Sequence, residues 1–323
     1  MHKNEPFCGP LAELLKEYIL LKRATGCKYI AEARLWHRFD SLTLKFDNPK
    51  NTLPKDLVSV WVQRQPNEKA LTQSKRTTAI KRFAEFMTER GYDAYIWPYA
   101  SPQLDDQYTP YIFSESEMNR ILSLADRYPA PNASTNLHLT IPVAMRLLYG
   151  CGLRASELVS LRIQDVDIEN GVLTVRESKF QKSRIVPMAD TLTKRCAEYI
   201  LATGNVQNKD GFFLCNPKGR KYQSQAVYYW FRCLIYKAGI PHGGKGVGPR
   251  LHDIRHTFAV HSLKRHVLEG KDISSMLPFL SAYMGHCDLR GTQIYLRLMP
   301  DMFPHIASTM EIFFSGGDAH ESD

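Results

Sequence analysis

The sequence has little of what marks membrane or secreted proteins. No apolar run approaches the roughly 20 residues that a bilayer-spanning helix needs, and Met1 to Pro6 lack the apolar core of a signal peptide. The seven cysteines are scattered, odd in number and never form a Cys-x-x-Cys pair, which argues against a disulfide framework and a thiolate zinc site. We therefore expect a soluble cytoplasmic protein with no membrane partner.

Internal repeats, low-complexity tracts and an acidic excess are also missing. Asp and Glu number 33 against 42 Lys and Arg, so the formal net charge is +9. Such an excess suits a polyanionic partner, although a solvated basic surface gives the same total. The 323 residues, 44% of them hydrophobic, are enough for two ordinary globular domains.

Helical periodicity dominates the first part of the chain. Apolar residues recur at helical spacing in four stretches, which begin near Leu11, Ile30, Pro54 and Thr72. The fourth stretch carries basic side chains away from its apolar stripe, at Lys75, Arg76, Lys81 and Arg82. They are candidate DNA-binding residues, since a helix lying along a nucleic-acid backbone needs such charges, but an exposed helix face explains them equally well.

A segment rich in proline, aspartate and tyrosine interrupts this pattern after Trp97 and is typical of a linker. Ser114 and Glu117 have the spacing of a capping box, which predicts the start of a helix and of a new domain. The predicted organisation is a helical domain over 1–98, a linker over 99–111, a second domain over 112–314 and a disordered tail over 315–323.

The periodicity changes within the second domain. A short helix is predicted from Pro142 to Tyr149. Short strands are predicted after it, with a turn at Asn170-Gly171; they contain Val166, Ile168, Val172, Thr174 and Val175, followed by Arg184-Ile-Val-Pro. The pattern is helical again from Leu192 onward. The expected fold is mainly α with a small antiparallel β-sheet.

The first chemically informative residue in this domain is Arg154. It follows a Gly-Cys-Gly turn and precedes a short helix, where free backbone amides and a guanidinium together favour an anion. Glu157 lies one turn further on and can orient Arg154. An ordinary Arg–Glu helix pair is the plainer alternative.

Lysines occupy two glycine- or serine-containing connections further along. Lys179 and Lys182 lie between predicted strands, where a mobile ammonium can reach a phosphodiester and protonate a departing oxygen; a solvated basic turn is the alternative. Lys245 belongs to Gly243-Gly-Lys-Gly-Val-Gly248, which we interpret as a flexible basic loop because its spacing fits neither nucleotide fingerprint.

His252, Arg255 and His256 share the start of a predicted helix. A spacing of three lets His252 and Arg255 face one site. The two histidines also suggest zinc, but Asp253 stands where a His-Glu-x-x-His protease has its glutamate, so we expect no metal. One of the two histidines can equally be a core residue.

Gly285-His286 is followed nine residues after the histidine by Tyr295. Taken alone, such a tyrosine is most simply a packing residue. The basic clusters upstream, however, would place a bound phosphate in front of its phenol. The order and spacing of Gly-Leu-Arg-x-Ser-Glu-Leu, His-x-x-Arg-His and Gly-His…Tyr over about residues 110 to 300 resemble the tyrosine recombinase (phage-integrase-like) family.

The resemblance implies a helical N-terminal core-binding domain, a mixed α+β catalytic domain and a set of site residues. Tyr295 would be the nucleophile, and Arg154 and Arg255 would hold the non-bridging phosphate oxygens. Lys179 would be the general acid. The full expected catalytic set is Arg154, Lys179, His252, Arg255, His286 and Tyr295, with Glu157 in support.

The implied function is site-specific DNA recombination through a 3′-phosphotyrosyl intermediate, without metal or cofactor, in integration, excision or transposition of a mobile element. Resolution of replicon dimers, type IB topoisomerase activity and a catalytically silent DNA-binding role remain alternatives. The implied partners are double-stranded DNA of the bacterial nucleoid and other copies of the chain in a tetrameric synapse. The apolar stripe Phe303, Ile306, Met310 and Phe313 would either dock on a neighbouring copy or pack on its own core.

Overall fold

Helices make up most of the protein, and one small antiparallel sheet is the exception, as the sequence predicts. The computed structural model describes residues 6–26, 29–47, 49–99, 108–130, 135–176, 183–204, 208–244, 247–285 and 290–299. The chain divides into two compact units, Met1–Tyr108 and Thr109–Asp323. The apolar stripe after residue 300 lies outside the described residues.

The first unit contains the four helices that the periodicity predicts. They are α1 (Ala12–Ala24), α2 (Ile30–Thr43), α3 (Lys55–Val62) and α4 (Ala70–Thr88). The second unit contains α5 (Glu115–Asp126), α6 (Leu137–Gly150), α7 (Ala155–Leu158), β1 (Val166–Asp167), β2 (Val172–Val175), β3 (Arg184–Pro187), α8 (Asp190–Ala202), α9 (Ser224–Lys237), α10 (Asp253–Leu268), α11 (Ile273–Met284) and α12 (Arg290–Gln293).

Aromatic side chains form the centre of the first unit. The ring of Trp36 lies edge-on to Tyr18 at 5.7 Å and tilted against Phe83 at 5.1 Å, and Phe39 lies edge-on to Trp61 at 5.0 Å. All five rings are at least 98% buried. Such edge-to-face pairs add to the burial of apolar area, so the four short helices are held together mainly by these rings.

The structure corrects the interpretation of Arg76 as a DNA-binding residue. Its side chain is 1% exposed, donates to Glu68 at 2.7 Å and to the carbonyl of Gln63 at 2.9 Å, and its guanidinium lies over the ring of Trp61. A buried, paired guanidinium stabilises the fold and cannot reach a DNA backbone. Lys75 and Arg82 on the same helix are exposed, and Lys81 is half-buried; their DNA contacts stay a prediction.

Replacing Arg76 with Met will destabilise the first unit rather than weaken a DNA contact. Glu68 would remain as a buried carboxylate without its partner, at a cost of about 3 kcal/mol or more. Urea unfolding of the full chain, followed by tryptophan fluorescence, measures this loss. Lys75→Met, on the exposed face of the same helix, is the control and should change stability by less than about 0.5 kcal/mol. Equal midpoints for the two variants would contradict the assignment.

The second unit begins with the capping box that its sequence predicts. The Ser114 hydroxyl accepts from the Glu117 backbone at 3.2 Å, and the Glu117 carboxylate accepts from the Ser114 backbone at 2.8 Å. These reciprocal bonds satisfy two of the amides that a helix start leaves without partners, so α5 begins at Glu115.

The predicted start of the next helix at Pro142 is wrong by five residues, because α6 begins at Leu137 and continues through the proline. Proline removes one backbone hydrogen bond from a helix interior. The side chains of Thr140 and Ile141 before it are fully buried. Burial of this turn in the core therefore outweighs the local penalty on which the sequence prediction relied.

The sheet has the order β1-β2-β3 with antiparallel pairing throughout, and the turn at Asn170-Gly171 joins its first two strands as predicted. Gly171 has a φ of +64°, and the Asp167 carboxylate caps the turn by accepting from the Asn170 backbone at 3.0 Å. The register pairs Val175 with Arg184, so the first residue of β3 lies opposite the last residue of β2. Within the described ranges, no helix combines the length and apolar character needed to cross a membrane.

Candidate active site

The carboxylate of Glu157 is the centre of the candidate site. It is 5% exposed and accepts from the backbone of Arg154 at 2.9 Å and from the Arg154 guanidinium at 2.7 Å. Arg184 adds a bidentate pair at 3.0 and 2.9 Å. A third guanidinium, that of Arg255, lies 3.9 Å away. The predicted contact between Glu157 and Arg154 is observed, and Arg184 is a further partner of the same carboxylate.

Arg154 itself stands at the N-cap of α7, immediately after the glycine turn. Gly152 in that turn has a φ of +57°, and a Cβ added there would lie 2.6 Å from the ring of Phe258, so only glycine fits. The Arg154 side chain remains 24% exposed although Glu157 holds one side of it. An arginine fixed at one edge and open at another can receive an anion.

Arg184 is the residue that sequence reasoning missed, because it was assigned only to a strand. Besides its two bonds to Glu157, its Nε donates to the carbonyl of Tyr283 at 2.7 Å. A Cβ added to Gly285 would lie 3.0 Å from the Arg184 guanidinium, so the backbone there packs directly on the side chain. One signal was available: an arginine opens the strand that follows the hairpin lysines.

Arg255 is held even more deeply, at 2% exposure. It donates to the carbonyls of Gly152 and Met284. Burial, and the nearby charge of Arg154, lower the pKa of Arg255 to about 9, which leaves it charged at neutral pH. Two backbone carbonyls therefore fix its position by hydrogen bonds, and the carboxylate of Glu157 lies 3.9 Å away.

The C-terminus of α11 receives all three arginines. Arg184 donates to Tyr283, Arg255 to Met284, and Arg154 to Gly285 at 3.4 Å, so three consecutive carbonyls each accept from one guanidinium. The carbonyl end of a helix carries a partial negative charge and has acceptors that the helix itself leaves free. The turn that leads into 286–295 is consequently tied to Glu157 through the arginines.

Two histidines lie beside this cluster. The rings of His252 and His256 meet edge-on at 4.8 Å, and Nδ1 of His256 is buried without a hydrogen-bond partner in the described part of the chain. Although His252 is exposed at its surface, the atoms packed around it and the charges of Arg255 and Arg154 lower its pKa to about 4. Burial and His252 likewise lower the pKa of His256 to about 4. Both rings are neutral at pH 7.

Tyr295 is 1% exposed and packs in an apolar cluster with Ala259, Leu263 and Met284. Its ring lies 5.6 Å from that of His256. Burial raises the pKa of the phenol, while the charges of Arg255 and Arg154 act in the opposite direction. Tyr295 is therefore a packing residue of the apolar cluster, and its phenol is also close enough to Arg255 and Arg154 for their charges to affect its pKa.

The structure thus brings Arg154, Glu157, His252, Arg255 and Tyr295 to one place in the second unit. Four other predicted residues lie outside the described residues, namely Lys179, Lys182, Lys245 and His286. Among the residues that are described, no three His, Cys, Asp or Glu side chains cluster closely enough to hold a metal ion.

Glu157 should make stability depend on pH at the acid end. Burial alone would raise the pKa of its carboxyl, but hydrogen bonds and charge from Arg184 and Arg154 outweigh burial and lower it from 4.5 to about 2. Because the folded pKa is the lower one, the unfolded chain takes up the proton first. The contribution of Glu157 is complete above about pH 4.5 and is lost as the pH falls through about 2.

We therefore expect Glu157→Gln to be less stable than wild type by about 3 kcal/mol at pH 6, and the gap to shrink by about 2 kcal/mol at pH 3. Urea unfolding at both pH values gives the two gaps, and other titrating groups cancel in the difference. Glu115→Gln, which changes a carboxylate outside the cluster, should show no such narrowing. A gap for Glu157→Gln that is constant with pH would refute the role assigned to the carboxylate.

Comparison with known proteins agrees with this geometry. The family model described as the phage integrase family matches residues 112–301. A putative integrase/recombinase, y4rB, of Sinorhizobium fredii is 28% identical over 93% of this chain and 96% of its own length. The tyrosine recombinase XerA of Pyrococcus horikoshii is 30% identical over 68% of this chain and 67% of its own.

Solved structures resemble the fold. The Tn1549 transposon integrase in complex with transposon right end DNA has a TM-score of 0.62 at 18% identity, over 88% of this chain and 93% of that one. The XerH site-specific recombinase bound to palindromic difH substrate has a TM-score of 0.61 at 20% identity, over 86% and 78%. The chain belongs to the phage integrase family of tyrosine recombinases, and its activity is site-specific DNA recombination by strand transfer.

Proposed function

We propose that this protein cleaves and rejoins DNA strands through a 3′-phosphotyrosyl link to Tyr295, in the integration or excision of a mobile element. One observation carries the proposal: Glu157 and the end of α11 fix Arg154 and Arg255 beside a neutral histidine and the buried phenol. The partners would be double-stranded DNA and, in a synapse of two sites, four copies of the chain.

Arg154 and Arg255 would stabilise the charge that develops on the phosphate. Attack on a phosphodiester places additional negative charge on its equatorial oxygens, and donors that are already in position stabilise it without reorganising. Glu157 and backbone carbonyls hold both guanidinium groups in advance of any substrate. Phosphoryl transfer of this kind needs no metal, and we propose that the reaction is metal-independent.

His252 is suited to take the phenol proton. A phenol with a reference pKa of about 10 is protonated at neutral pH and must lose that proton to attack. The His252 ring is neutral at pH 7, so a ring nitrogen has a lone pair that can accept the proton, with a basicity that burial and the two arginines reduce. The O–P bond to Tyr295 would form as the bond to the 5′ oxygen breaks, and Lys179 would supply the proton which that oxygen needs.

Tyr295 must be uncovered for this reaction. At 1% exposure its phenol cannot touch a phosphate in the observed packing. The residue lies between α12 and a single 3-10 turn at Leu296–Leu298. Both elements are short, so few helical hydrogen bonds would break if this segment moved. We infer that DNA binding and a shift of this segment go together.

The mobile-element role is favoured by the relatives that cover most of the chain. The putative integrase/recombinase y4rB matches over 93% of this chain, whereas the Xer recombinases compared with it match over 47% to 74%. A resolvase of replicon dimers would instead act on sites in a replicon, and a type IB topoisomerase would relax supercoiled DNA without recombining sites. Relaxation of a supercoiled plasmid that carries no recombination site would distinguish topoisomerase activity from the other two functions.

Tyr295→Phe should abolish covalent capture of DNA while leaving binding within about twofold, because only the attacking oxygen is removed. The assay incubates full-length protein with nicked duplexes from the flanks of its own gene and detects the adduct by denaturing gel and peptide mapping. Wild-type protein should form the adduct equally with EDTA present. Tyr283→Phe serves as the matched control. An adduct that persists in Tyr295→Phe would remove the proposed nucleophile.

Arg184→Lys should slow cleavage by about 100-fold with little change in DNA affinity. A lysine cannot hold both oxygens of Glu157 and the Tyr283 carbonyl at once, so Arg154 and the end of α11 lose their common support. Single-turnover adduct formation and binding are measured on the same DNA. Arg176→Lys, directly after β2 and paired with Asp165 outside the cluster, is the control and should react within about twofold of wild type. Equal losses in the two variants would argue against a positioning role for Arg184.

A further inference from the structure

A pocket of about 530 Å³ opens next to His252, between α9 and the segment that precedes α10. Its side-chain lining consists of Tyr228, Arg232, His242, Arg250, Leu251 and His252. Two guanidinium groups and two imidazoles face one cavity, and no carboxylate is among the described residues that line it. The described lining is therefore rich in side chains that can donate hydrogen bonds to an anion.

Arg232 is held rigidly in the wall of this pocket. One guanidinium nitrogen lies 2.8 Å from Nε2 of His242 and 3.2 Å from the hydroxyl of Tyr228. Because arginine only donates, Nε2 of His242 must accept, and burial together with the Arg232 charge lowers the pKa of His242 so that its ring is neutral. The Nε of Arg232 is buried and has no hydrogen-bond partner among the described residues.

The backbone fixes His242 in turn. A Cβ added to Gly248 would lie 1.3 Å from the carbonyl oxygen of His242, so the chain folds back on itself as closely as a glycine permits. This part of the pocket wall is therefore built by close packing, which holds His242 and through it Arg232, whereas Arg250 lies in the exposed part of the lining.

We propose that this pocket binds a second DNA backbone phosphate, next to the scissile one. The inference rests on the proposed function, because His252 belongs to both sites and would therefore lie between two neighbouring phosphates of one strand. Arginine is the side chain that matches phosphate best, through parallel charge-assisted hydrogen bonds. The Arg232 guanidinium already lies over the ring of Tyr228, so that ring face is occupied and a phosphate fits better than a stacked base.

A phosphate held here would set the register of the strand. Contacts to the DNA backbone carry no sequence information, but they orient the duplex relative to the protein. Because the sugar between them limits the distance between neighbouring phosphates, a phosphate seated against Arg232 would restrict where the next one can lie relative to His252, Arg154 and Arg255. The pocket would thus contribute to positioning as well as to affinity.

The test combines protein variants with single neutral methylphosphonates at each phosphate flanking the cleavage point. For wild-type protein, one position should weaken binding by about tenfold, the size expected for a charge-assisted hydrogen bond. Arg232→Gln should bind unmodified DNA about tenfold less tightly, reduce the salt-dependence slope by about one, and lose sensitivity at that position alone. Arg250→Gln, in the exposed part of the lining, repeats the measurement should Arg232→Gln unfold.

Lys237→Gln is the control, since it removes a cation from α9 outside the pocket and should retain the tenfold effect at the same position. If Arg232→Gln and Arg250→Gln remain as sensitive as wild type at every methylphosphonate, the pocket does not bind a phosphate. This outcome is separate from a failure of the proposed function, which would appear as the absence of a wild-type adduct on unmodified DNA. The binding measurement decides on the pocket in either case.

Discussion

The second unit is organised around one buried carboxylate among cations. Glu157 accepts from Arg154 and Arg184 and lies 3.9 Å from Arg255. Removing a carboxylate from water is costly, and only several charge-assisted hydrogen bonds offset that cost. Each arginine then uses its remaining donors on a backbone carbonyl at the end of α11. The positions of α7, β3 and α10 in the site therefore depend on this one carboxylate, through Arg154, Arg184 and Arg255.

The consequence is a rigid connection between segments that are distant in sequence. Arg184 by itself joins the first residue of β3 to Glu157 and to the last turn of α11, over separations of 27 and 99 residues, and Arg154 makes a second such connection. The carbonyls at the end of α11 accept because a helix terminus leaves them without internal partners. Gly285 closes the helix with a φ of +66° and lets Arg184 pass against its backbone. The segment leading to Tyr295 begins at that point.

The features of the fold and the site that can be predicted from the sequence are those that depend on residues close together in the chain. Helical periodicity, the capping box at Ser114, the turn at Gly171 and the Arg154–Glu157 pair all depend on residues within four positions, and each is observed. Arg76 and Arg184 could not be assigned in this way, because their roles depend on tertiary partners: a basic residue on a helix or strand has the same local pattern whether it is solvated or buried against a carboxylate. The prediction of where α6 begins was wrong for the same reason, since burial of Thr140 and Ile141 overrides the local effect of Pro142.

Stability alone does not account for such a cluster, since well-packed apolar residues often replace buried ions without loss. Its charge balance offers a better reason. Among the described side chains, three guanidinium groups oppose one carboxylate, and His252 is neutral because its pKa is lowered to about 4, so two positive charges remain uncompensated. A phosphodiester brings one negative charge, and in the proposed reaction proton transfer from the phenol to His252 moves further negative charge onto the phosphate without changing the net charge of the site. The two uncompensated guanidinium charges would therefore stabilise the proposed transition state more than the substrate, which is the difference in binding that accelerates a reaction.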